Sequence, residues 1–424
     1  MLVIYPLNNL TFKSNTIGDS VFAQNAIALA CLSTTESIIT NVPDDHDTDL
    51  LIKSLIRIGF CILRESDKIL INPLAKDIPN EKFSINFENA GYAMRIFIAI
   101  AQSQNVNGII ESEFPLSKRN IERTLIPLRE LGCEIICSER GTSPVRIFPN
   151  SNYNTDVIID LPIPNFYLKS SLIIASSYSG LNTEIIEPYP SRSITEYFFD
   201  CNLDFNKSYH INVKPNVYNG FNAELPSDTL ICDCLTILGL LSNKNNIELY
   251  NRSCLFKETT FLNYIPKINA RFGLIHNNCN INYLKSETLI PVYSNISGKL
   301  VLNCDDVKNL GSSIVLLSTL IGAGGGEIIV KGAIDMRQQT CDRILAIVNN
   351  YEMLGIETEE FEDGFRVKNI GSLKGGCELN CYNDLYITLS QIILCSLADS
   401  HCTLINLNDD YRVKTLIDIL QIKE

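Results

Sequence analysis

Histidine is scarce in this chain: four in 424 residues, His46, His210, His276 and His401, with no two close in sequence. That leaves little for histidine-based acid–base chemistry or for a histidine-rich metal centre. Cys-x-x-Cys is absent despite fifteen cysteines, and the nearest approximations, Cys133/Cys137 and Cys377/Cys381, have no partner pair. Most cysteines lie in apolar runs (Cys31, Cys232, Cys234, Cys395), where Cys behaves as a small hydrophobe. Buried free thiols are therefore expected, with no metal and no disulfide framework. Basic residues are outnumbered, 35 to 48, and the formal charge of −13 excludes a generic nucleic-acid face. The N-terminus, Met1-Leu2-Val3-Ile4-Tyr5-Pro6, lacks the basic stretch of a secretory signal. The longest uncharged run, Asn309 to Gly326, is rich in Ser and Gly, and reads as a buried helix and not a membrane span. A cytoplasmic location without membrane attachment follows as the expectation; oligomeric state is left open.

What is present is a dense apolar pattern, 46% hydrophobic and 20% charged, in a chain long enough for two domains. An almost wholly apolar helical run recurs six times: Val21–Ser33, Tyr92–Ser103, Tyr167–Ser177, Thr229–Ser242, Ser313–Ala323 and Leu385–Leu397. Helices apolar around their whole circumference must be enclosed. Each is followed by a short β-rich stretch and then by an amphipathic helix: Asp49–Ile58 (capped by Asp47-Thr48), Arg119–Leu131, Ser193–Phe199, Thr259–Ala270, Asp342–Leu354 and Val413–Leu420. Several of these end at glycine, as in Ile58-Gly59, Leu131-Gly132 and Leu354-Gly355. A hairpin is expected around Glu362-Asp363-Gly364. The Gly324-Gly325-Gly326 run follows a helix and precedes a strand, the reverse of a phosphate loop, so it marks a helix stop. The sixth unit ends after its second helix, and Leu2–Lys13 could supply its missing strands. Three units would close into one α/β globule with helices inside and sheets outside, and six into two.

The helix entrance at Asn89-Ala90-Gly91-Tyr92-Ala93-Met94-Arg95 offers backbone N–H groups to an anion. It also carries the first of several motifs that match in order and spacing. Asn41-Val42-Pro43-x-x-x-Asp47-Thr48, Arg119 with Leu128-Arg129-x-Leu131-Gly132, and Glu187-Pro188-x-x-Ser191-Arg192-x-x-Thr195-Glu196 are the others. Together they resemble the enolpyruvyl transferases, and within them the EPSP synthase family, over essentially the whole chain. The resemblance implies an inside-out α/β barrel-like fold of two domains, each of three βαβαββ units. The implied boundaries are residues 18–227 for one domain and 1–17 plus 228–424 for the other, with an interdomain cleft between them.

It also implies transfer of the enolpyruvyl group of phosphoenolpyruvate to a hydroxyl of a small phosphorylated acceptor, shikimate 3-phosphate, without a cofactor. Arg119, Arg343 and Lys414 fall on the family's phosphoenolpyruvate-holding cations, although a solvated lysine explains Lys414 as well. Gly91 and Asn89 belong to the turn beside that ligand. Ser191 falls on a serine that contacts the acceptor phosphate, or is merely a helix cap, and Asp228 on the aspartate at the second domain crossing.

Other family positions are substituted. Ser-Lys-Ser-x-x-x-Arg becomes Asp19-Ser20-Val21-Phe22-Ala23-Gln24-Asn25, and the acceptor triplet Ser-Ser-Gln becomes Pro164-Asn165-Phe166. The catalytic aspartate becomes Ser312, a Lys-Glu pair becomes Gln339-Thr340, and Asp-His-Arg becomes Asp384-Leu385-Tyr386. Ser20, Ser312, Gln339 and Thr340 do not titrate near neutral pH, so none replaces an acid or base. Arg337 and Lys169 are candidate replacement cations. The expectation is a divergent family member whose ordinary turnover is weak or lost. The alternatives are the same fold turned to another small metabolite, or a non-catalytic anion-binding scaffold.

Overall fold

The computed structural model describes residues 1–73, 82–104, 106–149, 153–154, 156–204, 209–254, 261–277 and 285–422. The chain divides into two compact units, one built on Gly18–Pro226 and the other on Met1–Ile17 with most of the chain from Ser227 onward. Ser227, grouped with the preceding domain in the sequence reading, belongs with the following one. Its hydroxyl accepts from Thr16 N (2.9 Å) and donates to Tyr250 O (2.8 Å), ordinary hydrogen-bond distances.

The expected apolar helices are Ser20–Leu32, Gly91–Ser103, Phe166–Ser179, Thr229–Leu241, Ile314–Gly324 and Leu385–Leu397. Their side chains are buried on nearly every side. Within the second unit, Thr229–Leu241, Ile314–Gly324 and Leu385–Leu397 pack on one another; in the first, Gly91–Ser103 packs on Ser20–Leu32 and Phe166–Ser179. The helical part of the uncharged run, Ile314–Gly324, thus lies in a core. Gly325, at φ +131°, closes its helix, where a Cβ would meet Ile296 O at 2.5 Å.

Six small sheets are present among the described residues. In the clearest, Lys299–Leu302 runs parallel to Glu327–Val330, which pairs antiparallel with Gly364–Lys368 and through it with Glu357–Phe361. The N-terminal segment is shared out differently from expectation. Leu2–Ile4 pairs with Cys402–Ile405 of the sixth unit, but Thr11–Ser14 runs parallel to Asn246–Ser253 of the fourth. Asn222–Glu224 does the equivalent for Ser37–Thr40 in the first unit. The strand missing from the start of each three-unit globule is therefore supplied where the chain enters or leaves it.

Two local expectations change. Asp45, not Asp47-Thr48, caps the His46–Arg57 helix, because its carboxylate reaches Thr48 N at 3.0 Å. The amphipathic stretch at Thr259–Ala270 forms two short 3-10 turns, Phe261–Asn263 and Ile265–Ile268, where Pro266 interrupts α-helical bonding. Residues 259 and 260 lie outside the described residues.

Candidate active site

The entrances of the six buried helices differ in what occupies them. Asp19, Asn165, Asp228 and Asp384 each turn a side-chain oxygen onto the first free N–H groups of their own helix. A helix end satisfied this way is no longer an open anion site. The Gly91–Ser103 helix begins without a side-chain cap, since its N-cap is Ala90, and the Ile314–Gly324 helix also lacks one.

Around the Gly91 entrance two guanidinium groups gather. Arg95 is half-buried; its Nη1 donates to Gly91 O (2.6 Å), Nε reaches Thr124 Oγ1 (3.4 Å), and its Cζ lies 6.0 Å from the Tyr167 ring centroid. Burial, and then the nearby Arg119, lower its pKa, with Tyr167 acting in the opposite sense. Arg119 is exposed at the mouth of the same narrow recess, which Ser112, Leu116 and Ser143 also line. Neither arginine has a carboxylate partner among the described residues, and Ser112 Oγ is buried without a hydrogen bond. Asn89 holds the recess from behind: its Nδ2 donates to Phe114 O (2.9 Å) and its Oδ1 accepts from Leu116 N (3.2 Å). Asn89 is thus a loop clamp with both ends engaged.

The substituted positions in this unit are filled by internal networks. Ser20 Oγ donates to Asp45 Oδ1 (3.0 Å) and accepts from Gln24 Nε2 (3.1 Å), tying two helices together. Asn25 Nδ2 donates to the Tyr92 hydroxyl (2.8 Å), while Asn25 Oδ1 accepts from Thr195 Oγ1 (2.8 Å), itself 2.7 Å from Ser170 Oγ. Burial pushes the Tyr92 phenol up to about 12, against the opposing effect of these hydroxyls, so it stays protonated. Tyr92 also stacks with Phe166 (5.3 Å) and Tyr167 (5.4 Å), where the acceptor triplet would lie. Aromatic surface stands there in place of hydroxyl and amide donors.

Ser191 and Lys169 turn inward. Lys169, wholly buried, pairs with Glu187 (2.9 Å) and Glu196 (2.7 Å) and lies over the Tyr209 ring. Ser191 Oγ donates to Glu187 Oε1 (2.9 Å), which also accepts from Asn165 N (3.0 Å). The Glu187…Ser191…Thr195-Glu196 motif is therefore a buried brace. Ser193, not Ser191, precedes the Ile194–Phe198 helix. Lys169 is fully engaged and does not stand in for a missing ligand cation.

In the other unit, Arg343 is buried and surrounded. Its Nε and Nη2 both lie 2.9 Å from Asp384 Oδ2, Nη1 donates to Ser312 Oγ (2.7 Å), and its guanidinium lies over Tyr386 at 5.1 Å. Asp384 spends its other oxygen on Tyr386 N and Ile387 N. Ser312 thus accepts a charged donor. Gln339 is exposed with its amide on Asp335 O (3.2 Å), and Thr340 is exposed beside it. Arg337 is committed to Asp342 and Glu360, both at 2.7 Å, and does not substitute for the missing lysine. Lys414 is exposed and makes no ion pair among the described residues. Asp228 caps its helix and accepts from Arg412 Nε (2.8 Å) and the Tyr411 hydroxyl (3.1 Å).

The model of the EPSP synthase (3-phosphoshikimate 1-carboxyvinyltransferase) family matches residues 6–413. The chain belongs to the EPSP synthase family. The 3-phosphoshikimate 1-carboxyvinyltransferase of Petrotoga mobilis is 24% identical over 404 residues, 94% of this chain and 93% of that protein. The Chlorobaculum tepidum enzyme of the same name is 28% identical over 71% of this chain and 70% of its own length. Among solved structures, EPSP synthase from Acinetobacter baumannii superposes with a TM-score of 0.86 at 19% identity, covering 99% and 98% of the two chains. The enolpyruvyl transferase NikO from Streptomyces tendae gives 0.71 at 14% identity, covering 99% and 96%. These likenesses show the fold, α/β with mixed sheets.

Arg95 and Arg119 line one recess, and Arg95 Nη1 donates to Gly91 O. Arg95 was available in the sequence as the last residue of the Asn-Ala-Gly motif; that it is half-buried without a carboxylate among the described residues was not.

A second buried carboxyl carries a pH signature. Asp233, inside the Thr229–Leu241 helix, has an unpartnered Oδ1 and is pushed up to about 7 by burial and by Asp228, with Arg252 opposing. Its folded pKa is raised, so its contribution to stability is full below the unfolded carboxylate range and is lost as pH rises toward 7. Between about pH 4 and pH 8 the native protein should lose on the order of 3–4 kcal/mol relative to Asp233→Asn. Urea denaturation of both proteins across that range checks this; parallel stability curves would refute it.

Proposed function

We propose that this chain is a divergent EPSP synthase-family protein that keeps a phosphoenolpyruvate-type anion subsite at Gly91, Arg95 and Arg119 and has lost family-type turnover. The observation that carries the reading is the pair of arginines without a carboxylate among the described residues, beside a helix entrance that has no side-chain cap. A half-buried guanidinium beside a second cation and without a counter-charge is disfavoured, and a small carboxylate or phosphate would relieve it. The chemistry also needs a proton taken from the acceptor hydroxyl and one delivered to the vinyl carbon. Ser20, Ser312, Gln339 and Thr340 supply neither.

Calorimetry with phosphoenolpyruvate alone is the test. Binding is expected, and Arg119→Ala should weaken it about 10–100-fold, the value of a charge-assisted hydrogen bond of about 1.5–3 kcal/mol. Undiminished binding in the variant, or none in the parent, would sink the assignment.

One further observation favours a changed acceptor over shikimate 3-phosphate. Of the implied acceptor positions, Phe166 packs in an aromatic cluster with Tyr92 and Tyr167, and Ser191 is internally bonded to Glu187. Neither can bond a phosphorylated polyol without rearrangement. Adding shikimate 3-phosphate should therefore leave phosphoenolpyruvate affinity unchanged; marked synergy between the two ligands would restore the family acceptor.

A further inference from the structure

Cys254, His276 and Glu287 are far apart in sequence, in a chain whose composition argues against metal sites. The sheet that joins Asn246–Ser253, Arg271–His276 and Ser286–Val292 brings them together. In its register Glu287 is opposite Arg252 on one side and His276 on the other. Directly opposed residues project from the same face, and Cys254, two residues beyond Arg252, follows that face. The ligand atoms Sγ, Nδ1 and a Glu287 carboxylate oxygen all lie within 4.8 Å of one another.

The distances have the scale of a first coordination sphere. Zinc–sulfur and zinc–oxygen bonds of about 2.3 and 2.0 Å at a tetrahedral angle place the two ligand atoms about 3.5 Å apart, and a nitrogen–oxygen edge is slightly shorter. Here Cys254 Sγ to Glu287 Oε2 is 3.5 Å, and His276 Nδ1 to the same oxygen is 3.5 Å. Arg252 Nη1 donates to the other oxygen, Oε1, at 2.8 Å and so aims Oε2 at the pair. A buried carboxylate oriented by a second residue is the usual support for a metal ligand. Glu287 is 1% exposed and His276 is open to solvent, so a cation could enter from the His276 side.

We infer that Cys254 Sγ, His276 Nδ1 and Glu287 Oε2 form a binding site for a zinc-class divalent cation, with water as fourth ligand. Cation binding replaces the Cys254 thiol proton, which leaves to solvent; thiolate and carboxylate together offset the metal charge, and with Arg252 counted the site carries one net positive charge. The site shares no residue with the candidate active site and would pin three strands of one sheet.

Cobalt(II) is the probe, because a tetrahedral site containing a thiolate gives visible d–d bands and a sulfur-to-metal charge-transfer band. One equivalent should produce both in the full chain. Cys254→Ser should abolish the charge-transfer band, and His276→Asn, at an exposed position that leaves the Arg252–Glu287 pair intact, should weaken binding at least tenfold. Cys377 and Cys402, whose sulfurs lie 3.7 Å apart, are an alternative soft-metal pair, so Cys377→Ser serves as the control and should change nothing. No cobalt spectrum, a spectrum unaffected by both ligand variants, or one lost in Cys377→Ser would each overturn the site.

Discussion

With phosphoenolpyruvate and shikimate 3-phosphate both saturating, phosphate release by this chain is expected to be at least about 10³-fold slower than that of a family member retaining the aspartate and the lysine–glutamate pair. A positioned general acid or base contributes about 10²–10⁴-fold, and more than one such position is substituted here. The geometry closes the obvious escape. Ser312 is not poised over an open site but accepts Arg343 Nη1 at 2.7 Å. The carboxylate beside it, Asp384, has one oxygen on Arg343 and the other on backbone N–H groups. A phosphate-release assay decides the matter; a rate within tenfold of that family member would mean the acid and base reside elsewhere.

Lys169→Met should destabilise the fold by about 3–5 kcal/mol, the cost of stripping the partner from buried charge. The effect is large because one lysine serves two carboxylates, Glu187 and Glu196, and all three are fully buried. Burial already raises the Glu196 pKa, with Lys169 the main opposing influence. Removing the lysine raises it further, so Glu196 takes up a proton more readily. The loss measured by urea denaturation should therefore be smaller at about pH 5 than at about pH 8. Adding Glu196→Gln should recover part of it. An equal loss at both pH values would mean that packing, not charge, is the cause.

How much of this was legible beforehand differs by level. The six apolar helices could be read because nothing but enclosure suits a helix without a polar face, and their observed limits lie within two residues of the expected ones. The motifs were legible as family marks but not as roles. Ser191 looks like a ligand-binding residue in sequence, yet the structure bonds it to Glu187, which with Glu196 holds Lys169. Arg337 and Lys169 read as spare cations because sequence records charge and not counter-charge. Arg337 is held by Asp342 and Glu360, the second of which arrives across a hairpin.

Composition, the six-fold helix pattern and the ordered motifs were by themselves sufficient to determine the α/β class and the family. Side-chain identity is a local property, and the order and spacing of identities along the chain need no coordinates to be read. Which surviving cation is free was decided only by tertiary structure, since a guanidinium's availability depends on the carboxylate that folding brings to it. Arg343 meets Asp384 from 41 residues away, while Arg95 and Arg119 meet none among the described residues. The same holds for Cys254, His276 and Glu287. Only the register of three paired strands, a non-local property, turns three unremarkable residues into one ligand set.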